Sequence, residues 1–303
     1  TTEIYTLSLH DALPICASGV VVGKNRFLYE ENYIKAYYGI DFLGEQKIAE
    51  ICRKWKAIQD TLGRKGIQLV VLLAPGKGSF YPEYIPDSYQ RAAHGKTNFE
   101  EFRKQFEQRS IRYVDLHTWY ESMKKTSKYP LFSKTGIHWT AYGQQFALDT
   151  MTKVVSHACG TEIPSLILDK VVRSTKPWLG DDDIGAGMNL FETLPEMVLG
   201  YPEYHPSRPL KPSDPKVLVI ADSFYWGLFN TGLSNSVFNN GEFWYYNEQI
   251  YPATYEKETW VKDQDLDAKL KENKVVFFLI TDANLYKFGF GFIEAAQKEY
   301  GIK

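Results

Sequence analysis

Three stretches of the chain are apolar at nearly every position and end abruptly. Ile67 to Leu73 holds one polar residue, Gln68, between Gly66 and Pro75. Val217 to Ile220 and Val275 to Ile280 repeat the pattern with no polar residue at all. Such unalternating runs suit strands covered on both faces, as in a parallel sheet. Ile111 to Leu116 and Phe243 to Tyr246 are read as further strands of the same sheet. Other stretches carry helical spacing. Ile48, Ile51, Trp55, Ile58 and Leu62 recur at three- and four-residue steps from Glu45 onward, and Gly63 stands where the helix is expected to close. Asn98 to Gln108 and Asp265 to Glu272 are read as helices, and Thr140 as the N-cap of another reaching His157. Strands separated by helices predict one α/β domain over residues 16–303, with helices on both faces of a mostly parallel sheet.

Two regions depart from this rhythm. Gly19-Val20-Val21-Val22 and Phe27-Leu28-Tyr29 flank a turn at Gly23-Lys24-Asn25. Residues 158–216 read as a large irregular insertion over one edge of the sheet or over the site. That insertion contains the acidic turn Asp181-Asp182-Asp183-Ile184-Gly185-Ala186-Gly187 and closes in a proline-rich run from His205 to Pro215. Prolines at that density continue neither a helix nor a central strand.

Composition narrows the classes of function. The chain has 303 residues, with 35 Lys+Arg against 37 Asp+Glu. A net charge of -2 argues against a general nucleic-acid binder, which needs a basic surface to collect phosphates. The aromatic share of 15% either fills a core or lines a groove that stacks on sugars. Cys16, Cys52 and Cys159 are too few and too scattered for a disulfide framework, and Cys52 falls on an apolar helical stripe. No run reaches the length of a membrane-spanning helix. Ser8-Leu9-His10-Asp11-Ala12-Leu13-Pro14-Ile15 resembles translated sequencing-adapter read-through. Residues 1–15 are therefore expected to be a non-native leader standing in place of an export signal or anchor.

Ligands of open α/β sheets bind beyond the carboxyl ends of the strands. Val219-Ile220-Ala221-Asp222-Ser223 is such an end. There Ser223 is either a nucleophile at a strand-to-helix exit, its own amide helping to bind an oxyanion, or an ordinary helix cap. His138 lies in the loop Lys134-Thr135-Gly136-Ile137-His138-Trp139, just before the capped helix, and is either a general base or structural. Gly136 allows a positive φ or close approach by another segment. None of the other histidines joins Cys, Asp or Glu at a metal-ligand spacing, so neither a metal site nor a cofactor is expected.

The order His-Trp and then Asp-Ser resembles the SGNH-hydrolase-like proteins of the alginate O-acetylation machinery, in the permuted group that includes the Asp-His-His-Trp proteins. Gly23 to Tyr29 is similar to the family's glycine turn and aromatic run. Pro75-Gly76-Lys77 and Tyr81-Pro82-Glu83 are similar to its Pro-x-Lys and Tyr-Pro-Glu segment. The resemblance implies a flavodoxin-like sheet with a Ser-His-Asp triad, Ser223 as nucleophile and His138 as base. It also implies acetyl transfer to, or removal from, polysaccharide hydroxyls in the periplasm or outside the cell, with a membrane acyl-donor protein as partner. The family's carboxylate stands two residues before the histidine, where this chain has Gly136. Asp115 is the first replacement considered, with Asp222 and Asp282 behind it; otherwise a backbone carbonyl orients a Ser-His dyad. Asn284, after the last apolar strand, is the expected second oxyanion donor or else a turn residue. The missing carboxylate leaves a rival reading open: a carbohydrate-binding module with Phe224-Tyr225-Trp226 and Phe243-Trp244-Tyr245-Tyr246 as a stacking platform. A hydrolase of unrelated small esters is the third reading.

Overall fold

The computed structural model describes residues 19–90, 93–178, 180–188, 197–252 and 254–302; the expected leader and Cys16 lie outside them. The strands are β1 Val20–Val22, β2 Leu28–Glu30, β3 Gln68–Ala74, β4 Tyr113–Asp115, β5 Leu166–Ser174, β6 Leu199–Pro206, β7 Val217–Ala221, β8 Phe243–Tyr245, β9 Gln249–Tyr251 and β10 Val275–Thr281. All five segments predicted as strands enter one six-stranded sheet of order β4-β3-β10-β7-β8-β9. Its pairings are parallel except for β9, which runs antiparallel on the edge. β10 is the axis. It pairs with β3 from Val275–Gln68 to Thr281–Ala74, and with β7 from Val275–Val217 to Leu279–Ala221.

Successive strand side chains point to opposite faces, so each central strand feeds two cores. Leu69, Val71, Leu73, Leu218, Ile220, Val276, Phe278 and Ile280 pack with the helix Glu45–Arg64 through Ile48, Cys52, Trp55, Ile58 and Leu62. The intervening residues Val70, Leu72, Val217, Val219, Phe277 and Leu279 join Ala147, Leu148, Met151 and Val155 of the helix Ala141–Cys159 on the other face. Each buried Val, Leu, Ile, Phe or Met side chain among them stabilises the fold by about 1.5–3 kcal/mol. The first helix outlasts its expected stop. Gly63 stays helical and the chain turns at Gly66, which has a φ of +78°.

The described parts of residues 158–216 are more regular than expected. β5 and β6 form an antiparallel ribbon, and Leu199 and Tyr201 of β6 pack against Ala141. The ribbon escapes sequence reading because β5 is largely exposed, Ile167 and Leu168 included. Its apolar and polar positions therefore follow no clean alternation. Pro202 and Pro206 are tolerated because a two-stranded ribbon leaves each strand a free edge.

The carboxyl ends of the parallel strands gather polar residues. Asp115 ends β4, Asp222 and Ser223 follow β7, and Asp282 follows β10.

Candidate active site

Ser223 leaves β7 through a tight turn. Tyr225 N–H donates to Asp222 O at 3.3 Å and Trp226 N–H to Ser223 O at 3.2 Å, which starts the helix Tyr225–Asn230. Asp222, wholly buried, fixes the turn from beneath. It accepts from Phe224 N–H (3.1 Å) at one oxygen and from Thr281 N–H, Thr281 Oγ1 and Asn284 Nδ2 (2.9, 2.8 and 2.8 Å) at the other. A carboxylate so bonded ties the end of β7 to the end of β10.

His138 reaches the same place from the opposite side. Thr140 caps the following helix by accepting from Gly143 N–H at 3.0 Å. The buried Trp139 indole donates to Phe224 O at 3.0 Å, joining the histidine loop to the serine loop. Behind the loop lies Lys77, fully buried, whose Nζ donates to Lys134 O and Gly136 O at 2.7 Å each. Burial pushes its ammonium well below the usual lysine range, with the Asp183 charge acting the other way. The motif pieces interlock here. Leu28 N–H donates to Lys134 O at 2.8 Å, the Tyr29 hydroxyl to Tyr81 O at 2.6 Å, and Phe27 stacks on Tyr84 at 3.9 Å.

Ser223 Oγ and His138 Nε2 are 2.8 Å apart, although 85 residues separate them in the chain. The other ring nitrogen, Nδ1, is hydrogen-bonded to Asp183 Oδ2. Asp183 is itself held, its Oδ1 accepting from Ile137 N–H and Ile184 N–H at 2.8 Å each. A carboxylate on Nδ1 keeps the proton there and leaves Nε2 as an acceptor toward the serine hydroxyl. The histidine and aspartate side chains keep 27% and 29% exposure, enough to meet a ligand.

Sequence reading missed Asp183, which comes from the acidic turn inside the 158–216 region. Gly136 is what admits it. A Cβ at 136 would sit 2.8 Å from Asp181 O and 2.8 Å from Ser133 Oγ, closer than packed atoms tolerate. Ser133 Oγ donates to Asp181 O at 2.6 Å and accepts from Gly136 N–H at 2.8 Å, so the turn rests directly on the glycine. Gly136 and the three successive aspartates were both visible in the chain; their contact was not. Burial pushes the Asp181 carboxyl up to about 7. The half-buried Glu30 carboxyl is raised by burial and lowered by His138, in whose field it lies.

The other candidates serve elsewhere. Asp115 caps the helix Leu116–Met123 by accepting from Thr118 N–H and Thr118 Oγ1 at 2.8 Å each, with Arg103 at 3.6 Å. Its carboxyl is thus not the one on the imidazole. Asp222 holds the serine turn, and Asp282 bonds His117 Nε2 at 3.2 Å and the Ser79 hydroxyl. Asn284 stands beside the serine turn as expected, yet its amide N–H groups go to Asp222 Oδ2 and to Thr281 Oγ1 at 3.1 Å, not to an open site. Of the expected stacking platform, Phe224, Tyr225, Phe243 and Trp244 are core residues, and only Trp226, Tyr245 and Tyr246 keep some exposure. Among the described residues no three His, Cys, Asp or Glu side chains are grouped to hold a metal ion.

A family model described as the SGNH hydrolase-like domain of acetyltransferase AlgX matches residues 20–179, just over half of the chain. The chain belongs to this family. The matched span contains His138 and Gly136, while Asp183 and Ser223 follow it. Two similar curated relatives are described as probable alginate O-acetylase AlgJ. That of Pseudomonas putida is 28% identical over 138 residues, 46% of this chain and 34% of the relative. That of Azotobacter vinelandii is 28% identical over 127 residues, 42% of this chain and 31% of the relative. The chain thus matches about a third of the length of these relatives. The solved O-acetyltransferase domain of Pseudomonas putida AlgJ shares the fold at a TM-score of 0.59 and 20% identity, over 92% of this chain and 99% of that one. Pseudomonas aeruginosa AlgX shares it at 0.54 and 14% identity, over 91% and 66%. The SGNH-hydrolase-like fold implied by the sequence motifs is therefore the fold of this protein.

Proposed function

We propose that this SGNH-like chain O-acetylates polysaccharide hydroxyls through an acetyl-Ser223 intermediate. The observation that carries the reading is the continuous hydrogen-bonded line Ser223–His138–Asp183. His138 Nε2 takes the serine proton as Oγ attacks the acetyl carbonyl of the donor, and Asp183 stabilises the imidazolium that forms. His138 then protonates the leaving oxygen. In the second half the acceptor hydroxyl gives its proton to His138 and attacks the acetyl-serine; water in its place yields acetylesterase activity. Membership of the AlgX family and the O-acetylase names of the relatives support this chemistry. The same likeness supports work outside the cytoplasm, with a membrane acyl-donor protein supplying the acetyl group. Among the described residues no helix is long and apolar enough to cross a membrane.

The test is hydrolysis of a small acetyl ester, p-nitrophenyl acetate, by the wild type and by Ser223→Ala, with mass spectrometry of the quenched enzyme. Loss of turnover together with loss of a one-acetyl mass increment supports the reading. Equal rates, with both proteins binding an acetylated glycan, would favour the carbohydrate-binding module instead.

A further inference from the structure

Attack on an acetyl ester places negative charge on the carbonyl oxygen, and a site that accelerates it needs donors aimed at that oxygen. The serine turn offers fewer than its sequence suggests. Phe224 N–H, the amide after the serine, is committed to Asp222 Oδ1. The Asn284 amide is committed to Asp222 and Thr281. One side-chain hydroxyl remains beside the nucleophile. The Tyr246 hydroxyl stands close enough to the Ser223 and Asn284 side chains for both to act on its ionisation.

The chain holds Tyr246 there in an unfavourable conformation. Tyr246 and Asn247 have φ of 50° and 56°, in the left-handed region that bulky side chains rarely enter. The facing loop carries a second such aromatic, Phe290, with φ of 46°. The two loops are tied together. Asn247 Nδ2 donates to Phe290 O at 3.2 Å, and the Tyr246 and Phe290 rings meet edge to face at 5.0 Å. Tyr246 N–H donates to Ala221 O at 2.8 Å, two residues before the serine. Lys287 Nζ lies 4.3 Å from the centre of the tyrosine ring, where a cation draws electron density from it and strengthens the hydroxyl as a donor. Burial first, and then the Asp222 charge, raise the hydroxyl above the ordinary tyrosine range, so it keeps its proton. Strained backbone anchored from several sides is a device for preorganising a functional group.

We propose that Tyr246 is the side-chain donor of the oxyanion hole. This rests on the acetyl-serine reading. As Ser223 Oγ bonds to the acetyl carbon, the C=O π pair moves to the carbonyl oxygen and the serine proton passes to His138 Nε2. Tyr246 keeps its own O–H bond and directs it at the new oxyanion. When the carbonyl re-forms, the bond to the donor's leaving oxygen breaks and that oxygen takes the proton from His138.

The experiment compares wild type, Tyr246→Phe and Ser223→Ala in p-nitrophenyl acetate hydrolysis, alongside calorimetric binding of methylboronic acid to wild type and Tyr246→Phe. A boronic acid bonded to the serine forms a tetrahedral anion that mimics the intermediate. Loss of one oxyanion donor lowers kcat by about 10²–10³-fold. Tyr246→Phe should show that loss with KM little changed, and weaker methylboronate binding, while Tm stays near wild type. A kcat/KM within threefold of wild type, or undiminished boronate binding, overturns the assignment of Tyr246 while leaving the nucleophile intact. If Ser223→Ala keeps the wild-type rate, the acetyl-serine reading fails and Tyr246 falls with it.

Discussion

Two clusters of serine, histidine and aspartate lie at the carboxyl edge of the sheet, and they are wired differently. In one, His138 stands between Ser223 and Asp183 and all three retain some exposure. In the other, Asp282 stands between Ser79 and His117, with the Asp282 and His117 side chains 4% and 6% exposed. The order of linkage decides the chemistry. An imidazole in the middle can receive the serine proton while the carboxylate offsets the charge that develops. A carboxylate in the middle puts no imidazole on the serine, and among the described residues His117 Nδ1 makes no hydrogen bond, the Glu121 carboxylate standing 3.7 Å from it. The second cluster joins β10 to the helix Leu116–Met123 and to Ser79. It is a structural tie made from the residues of a triad.

The largest expected effect separates the clusters directly. Asp183→Asn should cut acetyl-ester turnover by about 10⁴, as loss of the orienting carboxylate does in serine hydrolases, with little change in Tm. Asp282→Asn should show the reverse. It removes one partner from a buried charged contact and costs about 3 kcal/mol, read as an earlier melt, with turnover changing far less. A large rate loss in Asp282→Asn would break the distinction.

Gly136→Asp comes next. Although it would place a carboxylate where the family resemblance implies one, the new Cβ meets Asp181 O and Ser133 Oγ. The expected result is lower activity together with about 1–3 kcal/mol of destabilisation from overpacking, seen as a shifted denaturant midpoint. A rise in turnover would mean that the Asp183 turn yields easily.

The pH dependence of Tm distinguishes the clusters more finely. Asp181, under the open site, has a carboxyl raised to about 7. Its folded form holds a proton that the unfolded chain releases, so its cost to stability grows from about pH 4 to about 7 and then levels off. Asp181→Asn should flatten that part of the profile. For His117 burial acts to lower the imidazole, but the Asp282 hydrogen bond and charge, with Glu121 and Asp115, raise it overall. Its stabilising contribution is complete below about pH 6.5 and disappears as the pH climbs through the raised folded value. Asp282→Asn should remove that second slope and leave the first.

The smallest effect is expected at Asp115. Asp115→Asn keeps an oxygen that can cap the helix at Thr118, so turnover should stay within about twofold and Tm should barely move. A triad-sized loss in a steady-state assay would return Asp115 to the imidazole.

Much of the molecule is legible in the chain itself. The apolar runs of β3, β7 and β10 and the Ile48–Leu62 stripe determine local structure and the face each residue buries, because side-chain periodicity follows from backbone geometry. Ser223 and His138 were legible too, since each sits at an element boundary marked by its own neighbours. What the tertiary structure alone decided is which groups meet there. Asp183 lies 45 residues beyond His138, in a turn whose position depends on how the ribbon β5–β6 packs on the helix Ala141–Cys159. Asn284 was the right residue type near the right strand end, yet its hydrogens were taken by Asp222 and Thr281. A local pattern states what a side chain is able to donate or accept. The partner is chosen by contacts between segments far apart in the chain, and a hydrogen bond satisfied in one direction is closed to another.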